Sequence, residues 1–61
     1  MLYKVKFSGK KGHMNIYVNG PALSEMDGET VAIEAMAIRD LKNIGRNPMD
    51  YRIEGVEEVA A

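Results

Sequence analysis

LYKVKFSGKKGHMNIYVN, the stretch from Leu2 to Asn19, decides the fold. From Leu2 to Phe7 the pattern alternates. Tyr3, Val5 and Phe7 point one way while Lys4 and Lys6 point the other, the period of a half-buried strand. Ser8-Gly9-Lys10-Lys11-Gly12 interrupts the alternation with two glycines. It then resumes, with Met14, Ile16 and Val18 on one face and His13, Asn15, Tyr17 and Asn19 on the other. Two alternating runs joined by a short glycine-containing loop predict a β-hairpin with one apolar and one polar face. Asn19-Gly20-Pro21 closes the second strand.

Downstream the apolar period changes to that of a helix. At about 100° per residue, Val31, Ile33, Ala37, Ile38, Leu41 and Ile44 gather on one side. Two caps compete for the start: Ser24, with Asp27 three residues on, or Asp27 itself with the helix opening at Gly28. Asp27 is favoured, because a glycine inside a helix costs roughly 1 kcal/mol relative to alanine. Gly45 is placed for a left-handed cap after Ile44, and Pro48 prevents continuation. Glu34 falls inside the apolar stripe. A rim position beside a cation or a backbone amide is its expected place, since an unpaired buried carboxylate is costly. Contact with a partner or ligand is the alternative. On the opposite side Ala32, Ala35 and Met36 form a small apolar patch suited to close approach by another chain.

Met49–Val59 reads as a third strand. Tyr51 and Ile53 alternate with Arg52 and Glu54, but Val56 comes three residues after Ile53, and a bulge at Gly55 would return it to the inner face. The segment from Glu57 onward is expected to be exposed and frayed. The order β-β-α-β, with a crossover from the second strand to the third, predicts an α+β domain. Its three-stranded antiparallel sheet has order 2-1-3, with one helix on one face. The expected core is Val5, Phe7, Ile16, Val18, Val31, Ile38, Leu41, Ile53 and Val56.

Composition limits the function classes. The chain has 61 residues and no cysteine, so one domain is expected, without disulfides or thiolate metal ligands. A core of this size rarely supplies more than ~3–5 kcal/mol, which makes association with a partner or a second copy a natural source of added stability. No apolar run approaches the ~20 residues of a membrane span, and Lys4 and Lys6 spoil a signal-peptide pattern, so a cytoplasmic protein is expected. The net charge of −1 hides an uneven distribution. Lys4, Lys6, Lys10 and Lys11 face no acid within the first twenty residues, whereas the remainder is acidic. Such polarity steers charged partners.

Catalysis has little to build on. His13 is the only histidine, and no spacing suggests a nucleophile, base and orienting group. Gly9-Lys10-Lys11-Gly12 lacks the spacing of a phosphate loop and joins strand to strand. Neither a metal nor an organic cofactor is expected. The open sheet face should carry Lys4, Lys6, Asn15, Tyr17 and Arg52, with Lys10 and Lys11 at the hairpin tip. Cations around an aromatic ring on a sheet suit single-stranded nucleic acid. The acidic remainder, Glu54 on the same face and the lack of an RNP-type aromatic motif count against it.

Three features together carry a resemblance. They are the strand through Ile16-Tyr17-Val18, an alanine-rich helical region containing Glu29-Thr30 and Glu34-Ala35, and the final Tyr51-x-Ile53-x-x-Val56. In these the chain resembles small β-β-α-β proteins of bacteriophages and mobile elements, a group that includes short inhibitors of host RNA polymerase. The resemblance implies a stoichiometric inhibitor or adaptor of a host or defence protein, and no enzyme. It departs in the loop before the helix, the basic hairpin tip and the C-terminal tail, so no binding residue is carried over. The residues expected to meet a partner are Lys4, Lys6, Lys10, Lys11, Tyr17, Arg52 and Met36. Nucleic acid and a homodimer are the alternatives.

Overall fold

The computed structural model describes residues 1–22 and 30–59. Its elements are β1 (Leu2–Gly9), β2 (Gly12–Asn19), α1 (Val31–Asn43), a 3-10 turn (Pro48–Asp50) and β3 (Tyr51–Val59). The strands form one antiparallel sheet in the order β2-β1-β3, and α1 packs on one face. The fold is therefore α+β with a β-β-α-β arrangement.

The hairpin is tighter than the sequence pattern suggests. The β1–β2 register runs without a shift from Leu2 opposite Asn19 to Gly9 opposite Gly12, leaving only Lys10 and Lys11 in the turn. Gly9 itself is committed by packing. A Cβ there would lie 2.7 Å from the Asp50 carbonyl oxygen and 2.8 Å from the Tyr51 ring. Tyr51, opposite Gly9 on β3, thus covers the strand where a side chain is missing, and it meets Phe7 edge-on at a centroid separation of 6.4 Å.

The β1–β3 register shifts between Lys6 and Phe7. Phe7 faces Ile53 and Lys6 faces Gly55, so Glu54 is the extra residue of a bulge. The bulge restores the phase, and Val56 lands opposite Val5 and packs against the core. The strand then continues to Val59, so Glu57, expected in a frayed end, is part of the sheet. At its start β3 is shorter than expected, because Met49 and Asp50 belong to the 3-10 turn. There Pro48 occupies the first turn and the Asn47 side-chain oxygen accepts a hydrogen bond from the Met49 amide at 3.0 Å.

The favoured cap Asp27, its rival Ser24 and the proposed helix opening at Gly28 lie outside the described residues. As described, α1 begins at Val31 with Thr30 at its N-cap, and the Thr30 carbonyl accepts from the Glu34 amide. The end of α1 follows expectation. Gly45 has φ +89, its amide bonds the Lys42 carbonyl and the Arg46 amide reaches the Leu41 carbonyl. These are the paired bonds of a left-handed helix terminus, a conformation that costs other residues about 1–2 kcal/mol.

The core consists of Tyr3, Val5, Phe7, Val18, Ile33, Ala37 and Leu41. Met14, Ile16, Met36, Tyr51, Ile53 and Val56 pack around it, half-buried. Two expected core residues are displaced: Val31 is 67 % exposed and Ile38, at the rim, 37 %. Ile44, expected on the buried stripe, is exposed at the C-cap. The helix is rotated so that Ile33, Ala37 and Leu41, spaced four apart, point at the sheet. The cause lies at Gly20. The Ile33 Cδ1 atom occupies the space a Gly20 side chain would need, beside the Tyr3 ring, and Ala37 in the middle of the stripe lets the helix come close. Tyr3 is fully buried, and its hydroxyl donates to the Pro21 carbonyl at 2.5 Å, so the polar end of the ring is satisfied. Glu34 takes an intermediate, rim position. Among the described residues no helix is long and apolar enough to cross a membrane.

Candidate functional site

Strand alternation sets the polar face. Because Lys4 stands opposite Tyr17 and Glu57, and Lys6 opposite Asn15 and Gly55, these side chains share the side of the sheet away from α1. Ser8 continues the row between His13 and Arg52. The structure thus brings Lys4, Lys6, Tyr17 and Arg52 onto one open face, with Lys10 and Lys11 at its end.

The electrostatics of that face differ from a basic platform. Glu57 sits between the two lysines, with its carboxylate oxygens 3.3 Å from the Lys4 Nζ and 2.6 Å from the Lys6 Nζ. These hydrogen bonds, the one from Lys6 foremost, hold the Glu57 carboxyl below the usual carboxylate range. Arg52 lies 3.5 Å from Glu54. Three of the expected partner-binding cations are thus paired within the molecule. Glu57 was legible in principle: once the bulge returns Val56 to the core, simple alternation sends Glu57 to the lysine side.

Met36 moves as well. It packs against the core instead of standing in an outward patch with the exposed Ala32 and Ala35, and its methyl lies near Gly20 at the end of β2. Tyr17 remains 55 % exposed.

The backbone offers a further feature. Met1 and Gly20 exchange two hydrogen bonds, from each nitrogen to the other's carbonyl, at 2.8 and 2.9 Å. Antiparallel ladders alternate bonded and non-bonded pairs. Val18, Ile16, Met14 and Gly12 therefore turn their backbone groups toward β1, and His13, Asn15, Tyr17 and Asn19 turn theirs toward the outer edge, where no further strand pairs among the described residues. The edge formed by β2 carries no Lys, Arg, Asp, Glu or Pro across its eight residues, and its register has no bulge. The opposite edge, β3, carries Arg52, Glu54, Glu57 and Glu58 and is kinked by the bulge.

Ser8 and His13 are cross-strand neighbours, but no hydrogen bond joins them. Among the described residues no group of three His, Asp or Glu side chains is placed to hold a metal ion. Compared with known proteins, the chain matches no family model, no curated protein and no solved structure.

Proposed function

We propose that this protein is a non-catalytic binding module that accepts an extended segment of a partner protein as a fourth strand along β2, acting stoichiometrically as an inhibitor or adaptor inside the cell. The observation that carries this is the contrast between the two sheet edges. Sheet proteins normally guard an edge with charge, proline, bulges or brevity. Here β3 has charges and a bulge while β2 is long, regular and free of Lys, Arg, Asp and Glu. An incoming strand would bond His13, Asn15, Tyr17 and Asn19, the four residues whose backbone groups face outward. Its alternate side chains would meet Tyr17 on the open face and the half-buried Met14 and Ile16 on the other. Met36 borders the same end of β2. The resemblance to phage and mobile-element proteins points to a host or defence protein as the partner.

Nucleic acid on the open face has weaker support, because Glu57 and Glu54 already occupy the cations a phosphate backbone would need. Self-pairing along β2 would use the same edge and is separable by experiment.

Asn15→Pro is the decisive variant. It removes an outward amide and leaves the β1–β2 ladder intact, a strand setting that tolerates proline. Peptides selected against the wild-type protein should be extended and alternating in apolar residues, and should lose at least tenfold in affinity toward Asn15→Pro. Equal binding to both proteins refutes strand addition. A melting temperature that rises with protein concentration in wild type alone identifies the added strand as a second copy.

A further inference from the structure

At the hairpin-tip end of the 33 Å-long molecule, three separate parts of the chain converge: the hairpin tip, the segment after α1 and the start of β3. Between them lies a cleft of about 340 Å³, lined by Lys10, Lys11, Arg46, Asn47, Asp50 and Tyr51, within the usual range for small-ligand sites.

The fold fixes much of its wall. The two-residue turn sets both lysines at the tip, and the Arg46 amide is tied to the Leu41 carbonyl. The Asn47 side-chain oxygen is used on the Met49 amide, which leaves its NH₂ group to donate. Tyr51 is held against Gly9 and Phe7.

The charges here are treated differently from those on the sheet. Lys4, Lys6 and Arg52 each have a carboxylate within 3.5 Å, but Lys10, Lys11 and Arg46 form no ion pair among the described residues. Their lining includes one acid, Asp50. Three cations around a concave surface, with a single carboxylate between them, leave net positive charge there for an anion to relieve. Pure anion binding would not require an aromatic wall or a carboxylate. Both have a use when the anion is attached to a ring that bears hydroxyl or amino groups.

We propose that this cleft binds a phosphorylated ring compound of the nucleotide class. The phosphates would lie among Lys10, Lys11 and Arg46, and the ring against Tyr51. Asp50 would accept, and Asn47 donate, hydrogen bonds at the sugar or base. The site does not depend on the β2 edge, and either can fail without the other.

The test is an amide chemical-shift titration of the full chain with ADP, adenosine and inorganic pyrophosphate at two salt concentrations. It is repeated on Arg46→Gln and on the double variant Lys10→Gln/Lys11→Gln. All three positions are exposed, and circular dichroism confirms that the variants fold. ADP should move the amides of residues 9–12 and 45–51, with saturation that weakens as salt rises. Each variant should weaken binding at least tenfold, and adenosine and pyrophosphate should each bind several-fold more weakly than ADP. The proposal is overturned by unmoved amides with ADP, by pyrophosphate equal to ADP, by variants that bind as wild type does, or by shifts centred on Lys4, Lys6 and Tyr17.

Discussion

The rotation of α1 can be tested by three substitutions whose costs should follow burial in the structure and not membership of the expected core. Ile33 and Leu41 are fully buried, whereas Val31, one of the apolar residues that opens the helix, is two-thirds exposed. Ile33→Val removes one buried methyl group and should cost about 0.5–1.5 kcal/mol. In a domain this small, 1 kcal/mol corresponds to roughly 4–8 °C in Tm, so a fall of about 2–12 °C is expected. Leu41→Ala should cost about 2–5 kcal/mol, comparable with the ~3–5 kcal/mol that a core of this size supplies, and should leave much of the chain unfolded. Val31→Ala removes two methyl groups but loses little burial and gains helix propensity, so its net effect should stay within about 0.5 kcal/mol of zero. Urea denaturation followed by far-ultraviolet circular dichroism, with a common slope fitted to all variants, reads these differences directly. A cost above about 1.5 kcal/mol for Val31→Ala, with none for Ile33→Val, would mean that the helix sits as its apolar stripe first suggests. The packing of Ile33 over Gly20 would then be wrong.

Two further predictions concern the sheet. Gly9→Ala should destabilise by about 1–3 kcal/mol, because the new methyl group meets the Asp50 carbonyl oxygen as well as the Tyr51 ring, and backbone yields less readily than a side chain; unchanged thermal stability would show that Tyr51 does not lie over the strand. The Glu57 carboxyl is held low in the folded state by Lys6 and Lys4. Its contribution should be complete above the ordinary carboxylate pKa and fade as pH falls through the lower folded value. Thermal melts from pH 7 to pH 2 should show the Glu57→Gln deficit shrinking in acid, and a deficit constant across that range counts against the Lys4–Glu57–Lys6 arrangement.

How much of this was legible in the sequence depends on the kind of pattern. Strand alternation is a strong signal because an error of one residue exchanges the two faces. The hairpin and the bulge beside Gly55 follow from it, and the crossover rule supplies the strand order. The helix stripe is ambiguous. Val31 and Ile38 form one apolar row and Ile33, Ala37 and Leu41 another, offset around the axis by about a third of a turn. Periodicity cannot choose between them. The choice is made by Gly20, a residue outside the helix whose missing side chain admits Ile33, and no local pattern records that pairing. The candidate site divides in the same way. Alternation correctly collected Lys4, Lys6, Tyr17 and Arg52 on one face but, with the strand thought to fray after the bulge, missed Glu57. The grouping of Lys10 and Lys11 with Arg46 depends on where the helix ends relative to the hairpin tip, a tertiary fact.

The distribution of charge links these elements to function. A bulge that merely corrected the phase of Val56 would serve the core alone, but here it also carries Glu57 to a point between two lysines. The central strand thereby has its two lysines bridged by one carboxylate from β3, the edge that is itself guarded by charge. Neither protection extends to β2, which itself carries no Lys, Arg, Asp, Glu or Pro, or to the cleft beside the hairpin tip, where three cations stand without ion pairs among the described residues. A chain selected only to stay folded and unaggregated would gain from one lysine in place of Asn15 or Asn19 on β2. The omission is accounted for if that edge must remain able to pair. Asn19→Lys, at a position opposite Leu2 and not a lysine, should therefore change stability by no more than about 0.5 kcal/mol and raise solubility while abolishing partner capture. A lysine variant that still captures the partner would show that the bare edge has no part in binding.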